Sequence, residues 1–219
     1  SAKENIKSAI ENKGVSVASN ATLDQYPGFI ESISAGGSAG SGQEDALIAR
    51  TLSVYSNSTV SVIGNNAFAY CDALTSVDFP VCTNIGGSAF NACTSLTSVS
   101  FPVCTNIGGY AFSICSSLTS VDFPACTSIG SSAFYNCSSL TSVSFPVCTS
   151  IENSAFAYCY SLTSVDFPIC TNIGSNAFYN CSSLTSVDFS ACTSIGGYAF
   201  ERCYSLTSAS FPACTSIGY

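Results

Sequence analysis

From Leu52 to Tyr219 the apolar residues fall at fixed intervals in a frame of twenty-two. Leu74 opens LTSVDFPVCTNIGGSAFNACTS, and Leu96, Leu118, Leu140, Leu162 and Leu184 open further segments in the same frame. A strict period in core-type residues signals stacked copies of one supersecondary unit. With Leu as position 1, Leu, Val and Phe occupy positions 1, 4 and 6, and the V-x-F alternation predicts a short strand. Pro at position 7 removes a backbone donor and ends the ladder. Ile-Gly at positions 12 and 13 reads as a turn, and the Ala-Phe-x-x-Cys that follows predicts either one helical turn or a second extended piece. The expected fold is a β-dominated α/β solenoid of about eight coils, roughly 4.8 Å apart where strands pair.

Each coil contains its own half-repeat. Leu at position 1 matches Ile at 12, Phe at 6 matches Phe at 17, and Cys at 9 matches Cys at 20. A cysteine therefore recurs every eleven residues from Cys71 to Cys214, always three residues after a phenylalanine. Stacking predicts two Phe columns and two Cys columns inside the rod. Phe79, Cys82, Phe90, Cys93, Phe101, Cys104, Phe112, Cys115, Phe123 and Cys126 form the core of the first full coils. The coil from Leu52 keeps Ile63, Gly64, Ala67, Phe68 and Cys71 but has Tyr55 and Asn57 where later coils have Val and Phe, as a capping repeat does.

Upstream, Ala2, Ile6, Ala9 and Ile10 share one helical face, and PGFIESI from Pro27 predicts a second short helix. The expected organisation is a two-helix module over 1–33, a Gly/Ser linker over 34–45 and the array over 46–219. Its first residues are charged and amphipathic, without the apolar core of a signal peptide. The array stops at Tyr219 in mid-coil, which suits either a truncated array or end-to-end self-association.

Charged residues are only 8% of the chain, against about 25% in ordinary soluble proteins. Residues 52–219 carry a net charge of −6 with Arg202 as their one basic residue, so nucleic acid and anionic membrane surfaces are disfavoured partners. Membrane insertion is not expected, because no apolar stretch approaches the length of a spanning helix. With no histidine, Ser/His/Asp and Cys/His nucleophilic arrangements are excluded, and no enzyme or cofactor is implied. Cysteines eleven residues apart do not form a zinc-binding cluster. Disulfides would need same-column side chains to turn toward each other, whereas inward-pointing thiols run parallel. Buried, reduced thiols acting as small hydrophobes are the expectation.

The Leu-x-x-Val-x-Phe-x-x-Cys segment resembles the leucine-rich-repeat consensus, and the IGxxAFxxCxxL half resembles the BspA-type leucine-rich repeats of bacterial and protist surface proteins. The likeness covers 52–219 and departs from the family in having Pro at position 7 and Cys at position 9 of nearly every coil. It implies a right-handed leucine-rich-repeat solenoid at an extracellular or cell-surface location, binding proteins or glycans of a host or neighbouring cell. The N-terminal IKSAIENKGVSV…YPGFIESI segment is similar to modules of phage and prophage structural proteins, which implies the alternatives of a virion-associated display rod or a ligand-free spacer.

Two surfaces are candidates for binding. Position 5 carries Asp78, Asp122, Asp166 and Asp188, alternating with serines over most of the column. Alternation separates like charges; a cation or glycan contact is the functional reading of this face. The positions that vary between coils carry Tyr110, Tyr135, Tyr158, Tyr160, Tyr179 and Tyr198 among Ser, Asn and Gly. That is the composition of adaptable recognition surfaces, although tyrosine also serves to cover apolar coil edges.

Overall fold

The computed structural model describes residues 53–219; the helical module predicted over 1–33 and the linker over 34–45 lie outside the described residues. Each coil contributes two strands. The three-residue strands follow the Leu-Thr pair: β1 (Val54–Ser56), β3 (Ser76–Asp78), β5 (Ser98–Ser100), β7 (Ser120–Asp122), β9 (Ser142–Ser144), β11 (Ser164–Asp166), β13 (Ser186–Asp188) and β15 (Ser208–Ser210). The two-residue strands end on Ile at position 12: β2 (Val62–Ile63), β4 (Asn84–Ile85), β6 (Asn106–Ile107), β8 (Ser128–Ile129), β10 (Ser150–Ile151), β12 (Asn172–Ile173), β14 (Ser194–Ile195) and β16 (Ser216–Ile217). All pairing is parallel and joins equivalent residues of successive coils, as in Val121↔Val143 and Ile151↔Ile173. The even strands form one eight-stranded ladder, while the odd strands divide into β1-β3-β5, β7-β9-β11 and β13-β15.

Alternation explains the odd strands: Val77 is buried and Asp78 exposed. Phe79 continues the ladder by donating its N–H to Ser100 O at 3.0 Å, and Pro80, with no N–H, stops it. Threonines at positions 2 and 10 add side-chain rungs between coils. Thr97 Oγ1 donates to Thr75 O at 3.0 Å and Thr105 Oγ1 to Thr83 O at 3.1 Å, so these surface hydroxyls also tie backbone to backbone.

The predicted Phe columns meet in the middle of the rod as a herringbone. Position-17 rings, such as Phe90 and Phe112, stack at centroid spacings of 5.0–5.3 Å. Position-6 rings, such as Phe79 and Phe101, stack at 5.3–6.0 Å. The columns touch edge to face, as Phe90 and Phe101 do at 5.9 Å and 63°. Such pairs contribute about 0.5–1.5 kcal/mol each beyond the area they bury.

Thirteen cysteines are buried and Cys214 is half-buried; all are unbridged thiols. The two columns have different partners. Position-9 thiols close their own turn, Cys104 Sγ donating to Asn106 O and Cys126 Sγ to Ser128 O. Position-20 thiols reach the preceding coil, Cys93 Sγ donating to Phe68 O at 3.0 Å and Cys115 Sγ to Phe90 O at 3.1 Å. Burial pushes the Cys104, Cys115, Cys126 and Cys170 thiols up to about 12, which keeps them protonated and unreactive at neutral pH.

Positions 13 to 20 are neither the helical turn nor the extended piece that the sequence suggests, and among the described residues there is no helix. Alternate N–H groups stay within the coil, as in Ala89 N to Gly86 O and Asn91 N to Ser88 O. The others cross to the next coil, as in Ser88 N to Gly109 O and Phe90 N to Ala111 O. Positions 15 and 19 have left-handed φ of 55–64° in every complete coil, which interrupts the right-handed turns before they wind into a helix.

The first coil closes one end of the herringbone. The Tyr55 ring lies 5.1 Å from Phe68 and 5.4 Å from Phe79, covering both columns at once. Asn57 Oδ1 accepts from the N–H groups of Thr59 and Val60, holding the turn where later coils have Phe-Pro.

Candidate functional site

The exposed carboxylates of Asp78, Asp122, Asp166 and Asp188 stay in file along the odd strands. Two of them accept from a serine of the preceding coil, Ser56 Oγ to Asp78 Oδ2 at 3.4 Å and Ser144 Oγ to Asp166 Oδ2 at 3.5 Å. Asp166 and Asp188 occupy adjacent coils, and the ladder is divided between them. Among the described residues no group of three carboxylates or thiols is placed to hold a metal ion. The fold spreads this set of candidates out.

The turn face does the opposite. Tyr158 stands between two rings of neighbouring coils, 5.2 Å from Tyr135 at 66° and 5.3 Å from Tyr179 at 64°. Tyr160 of the same coil meets it at 6.1 Å, and the Arg202 guanidinium lies 5.4 Å from the centre of the Tyr179 ring. Four tyrosines and one cation thus form a strip across coils that the linear order separates by up to sixty-seven residues. Tyr135, Tyr158 and Tyr179 are half-buried, Tyr160 is exposed, and Tyr110 stands exposed one coil before Tyr135. Burial, followed by the neighbouring Tyr158, Tyr160 and Tyr110 hydroxyls, pushes the Tyr135 phenol up. Tyr198 is exposed and stands outside the packed group.

The backbone beneath the strip adds a second observation. Tyr110, Tyr158, Tyr198 and Arg202 all occupy left-handed positions, at φ between 57° and 64°. Left-handed backbone costs a residue with a Cβ about 1–2 kcal/mol, and Gly or Asn fits it best. Asn66, Asn136, Asn176 and Asn180 show that the array does use asparagine there. Ser88, Ala92, Ile114, Ser132 and Ser154 share this backbone, so the fold sets the conformation in every coil and the residue type sets only what is carried on it.

The model of the BspA type leucine rich repeat region matches residues 50–147 and 105–219, with six copies. The chain belongs to this family. Solved structures similar to it include three bacterial proteins. One is a leucine-rich repeat protein from Eubacterium ventriosum, 26% identical, with a TM-score of 0.64, sharing 69% of this chain and 43% of its own. Another, from Bacteroides ovatus, is 24% identical with a TM-score of 0.51, sharing 77% of this chain and 57% of its own. A third is a leucine rich cell surface protein from Faecalibacterium prausnitzii, 23% identical with a TM-score of 0.52, sharing 75% and 61%. The chain therefore spans 43–61% of the length of these three proteins. No curated protein matches it.

In the BspA-type frame, core positions set the scaffold and positions 14, 15, 18, 19 and 21 carry what differs between coils. Sequence reasoning noted Arg202 only as the single basic residue of the array. Its place at position 19, the column of Tyr158, was the available sign that it joins the tyrosines. Position-2 threonines read as part of the solvent face beside the carboxylates; their hydroxyl bonds to the preceding coil give them a structural task as well.

Proposed function

We propose that this BspA-type array is a surface-exposed interaction module, binding rather than catalytic, which docks a protein or glycan of another cell through its tyrosine strip. The observation that carries the reading is Tyr158, held in left-handed backbone and flanked edge to face by Tyr135 and Tyr179. Tyrosine supplies a large, amphipathic contact area at small entropic cost. Membership of the BspA type and the likeness to a leucine rich cell surface protein support a cell-surface setting. No helix among the described residues is long and apolar enough to cross a membrane, so the proposal gives this part of the chain a display role.

The test is a binding screen of the full chain against host matrix proteins and an immobilised glycan panel, run beside Tyr158→Asn and the triple change Tyr135→Ser, Tyr158→Asn, Tyr179→Ser. Asparagine suits φ of 64°, so the single variant keeps its melting temperature while its affinity falls. A partner bound equally well by the triple variant would remove the strip from the function.

A further inference from the structure

Resting on that docking reading, we propose that the strip recognises a glycan ending in a carboxylated sugar, with the tyrosine rings packing on the sugar and Arg202 pairing with its acid group.

Three features lead there. First, the backbone of this face is already committed. Asn136 N donates to Ala157 O, Tyr158 N to Tyr179 O and Asn180 N to Glu201 O, all at 2.8 Å. An extended peptide finds no free strand edge to add to, so recognition falls to side chains alone. Those side chains are ring faces, phenolic hydroxyls and the amides of Asn136 and Asn180 in the same column as Tyr158. Ring faces beside short-range hydrogen-bonding groups suit a pyranose, which has an apolar C–H face and a rim of hydroxyls.

Second, the cation is placed rather than scattered. Arg202 is the one basic residue of 52–219, and it sits over the terminal ring of the strip. Its pairing with Glu201 is long, 3.8 Å, and on exposed side chains, which leaves the guanidinium fork available to a ligand carboxylate.

Third, charge limits how acidic the ligand can be. The net −6 of the array repels a polyanion along its length, while the one guanidinium at the end of the tyrosine row, with the Glu201 carboxylate 3.8 Å away, accommodates no more than a single acid group. A terminal carboxylated sugar on an otherwise neutral oligosaccharide has this distribution.

The experiment titrates the full chain with sialyllactose and with lactose, and with a glucuronic-acid-terminated disaccharide and its neutral glucose counterpart. Expected is saturable binding of the carboxylated member of at least one pair, weakened about tenfold or more when the acid is absent, as loss of a charge-assisted hydrogen bond would do. Arg202→Gln and Tyr179→Ala each reproduce that loss at unchanged melting temperature, and Arg202→Lys restores part of it. Equal binding of acidic and neutral members, binding indifferent to Arg202→Gln, or no binding of any of the four sugars overturns the inference. A protein or neutral-glycan partner lost in Tyr158→Asn but not in Arg202→Gln would overturn it while leaving the docking surface in place.

Discussion

The two flanks of the rod are built from the same half-repeat and behave differently. On one flank the even strands run as a single ladder from β2 to β16; on the other the odd strands separate after β5 and again after β11. The ring columns record the same difference. Position-17 spacing never exceeds 5.3 Å. Position-6 spacing varies more, from 5.3 Å to 6.0 Å: it is 5.7 Å between Phe101 and Phe123 and 5.9 Å between Phe167 and Phe189, at the two divisions, and 6.0 Å between Phe189 and Phe211 within the last strand pair. Val99 and Val165, on the strands that border these gaps, are half-buried, whereas Val77, Val121, Val143 and Val187 are buried. A flank that holds a constant pitch can assemble a surface from several coils, and the tyrosine strip lies on the segment that joins the even strands to the odd ones. The carboxylates line the flank whose ladder is divided, although the rings beneath stay stacked across both divisions.

The largest expected effect breaks both flanks together. Cys104, Cys126 and Cys170 have a folded pKa of about 12 against an ordinary 9.0. A raised acid pKa favours the protonated, folded form, so stability is full below pH 9 and falls as pH rises from about 9 to about 12. Chemical denaturation across that range should show a flat profile at neutral pH and a steep alkaline loss. A shallow loss would contradict the burial of the thiols.

Next comes the contrast between rings. Phe112→Ala on the tight column and Phe101→Ala beside a division each remove a buried ring, worth about 3–5 kcal/mol. The larger loss is expected for Phe112, whose stacked neighbours both lie at 5.2 Å, against 5.4 and 5.7 Å for Phe101. Equal losses in matched denaturation curves would mean that the spacing difference has no energetic weight.

Gly108→Ala tests the tight flank alone. A Cβ there would lie 2.6 Å from Gly87 N, against backbone that is itself bonded, and overpacking of this kind costs about 1–3 kcal/mol. Glu152 occupies the same position in its coil, and its N–H bond to Ile129 O is 3.1 Å where the glycines before and after it make 2.8 Å. The smallest effect sharpens the loose flank. Asp188→Ser removes the one pair of aspartates in adjacent coils of the column and should stabilise by about 0.2–1 kcal/mol, a gain that shrinks in high salt. A salt-independent gain would show that charge is not what separates β11 from β13.

Coil length, the odd strands and both inward columns were legible in the chain because core residues repeat without interruption; the even strands were not, since Ile-Gly at positions 12 and 13 reads as a turn whereas that Ile closes a strand in every coil. The left-handed turns were not. Tyr158, Ile114, Ala92 and Arg202 stand where sequence cues for such backbone are Gly or Asn, so the conformation is imposed by the N–H bonds to the next coil. For the same reason the varying tyrosines could be named without their grouping being visible: whether positions 18, 19 and 21 of successive coils converge depends on that turn. The aspartate column read as one surface, yet it is divided. The division at Asp166 and Asp188 coincides with adjacent like charges, and nothing in the side chains explains the one between Ser100 and Asp122.

A rod of near-identical coils has a problem of phase, since a shift by one whole coil pairs Val with Val and Phe with Phe again. Tyr55 and Asn57 remove that degeneracy. The coil that bears them can lie only at an edge, because Asn57 stands where an interior coil would stack a phenylalanine, while the Tyr55 ring has already closed both columns. It marks a zero from which the remaining coils are counted. A chain with one interior coil deleted should therefore still find a single, shorter register, and a chain with Tyr55→Val and Asn57→Phe should populate several.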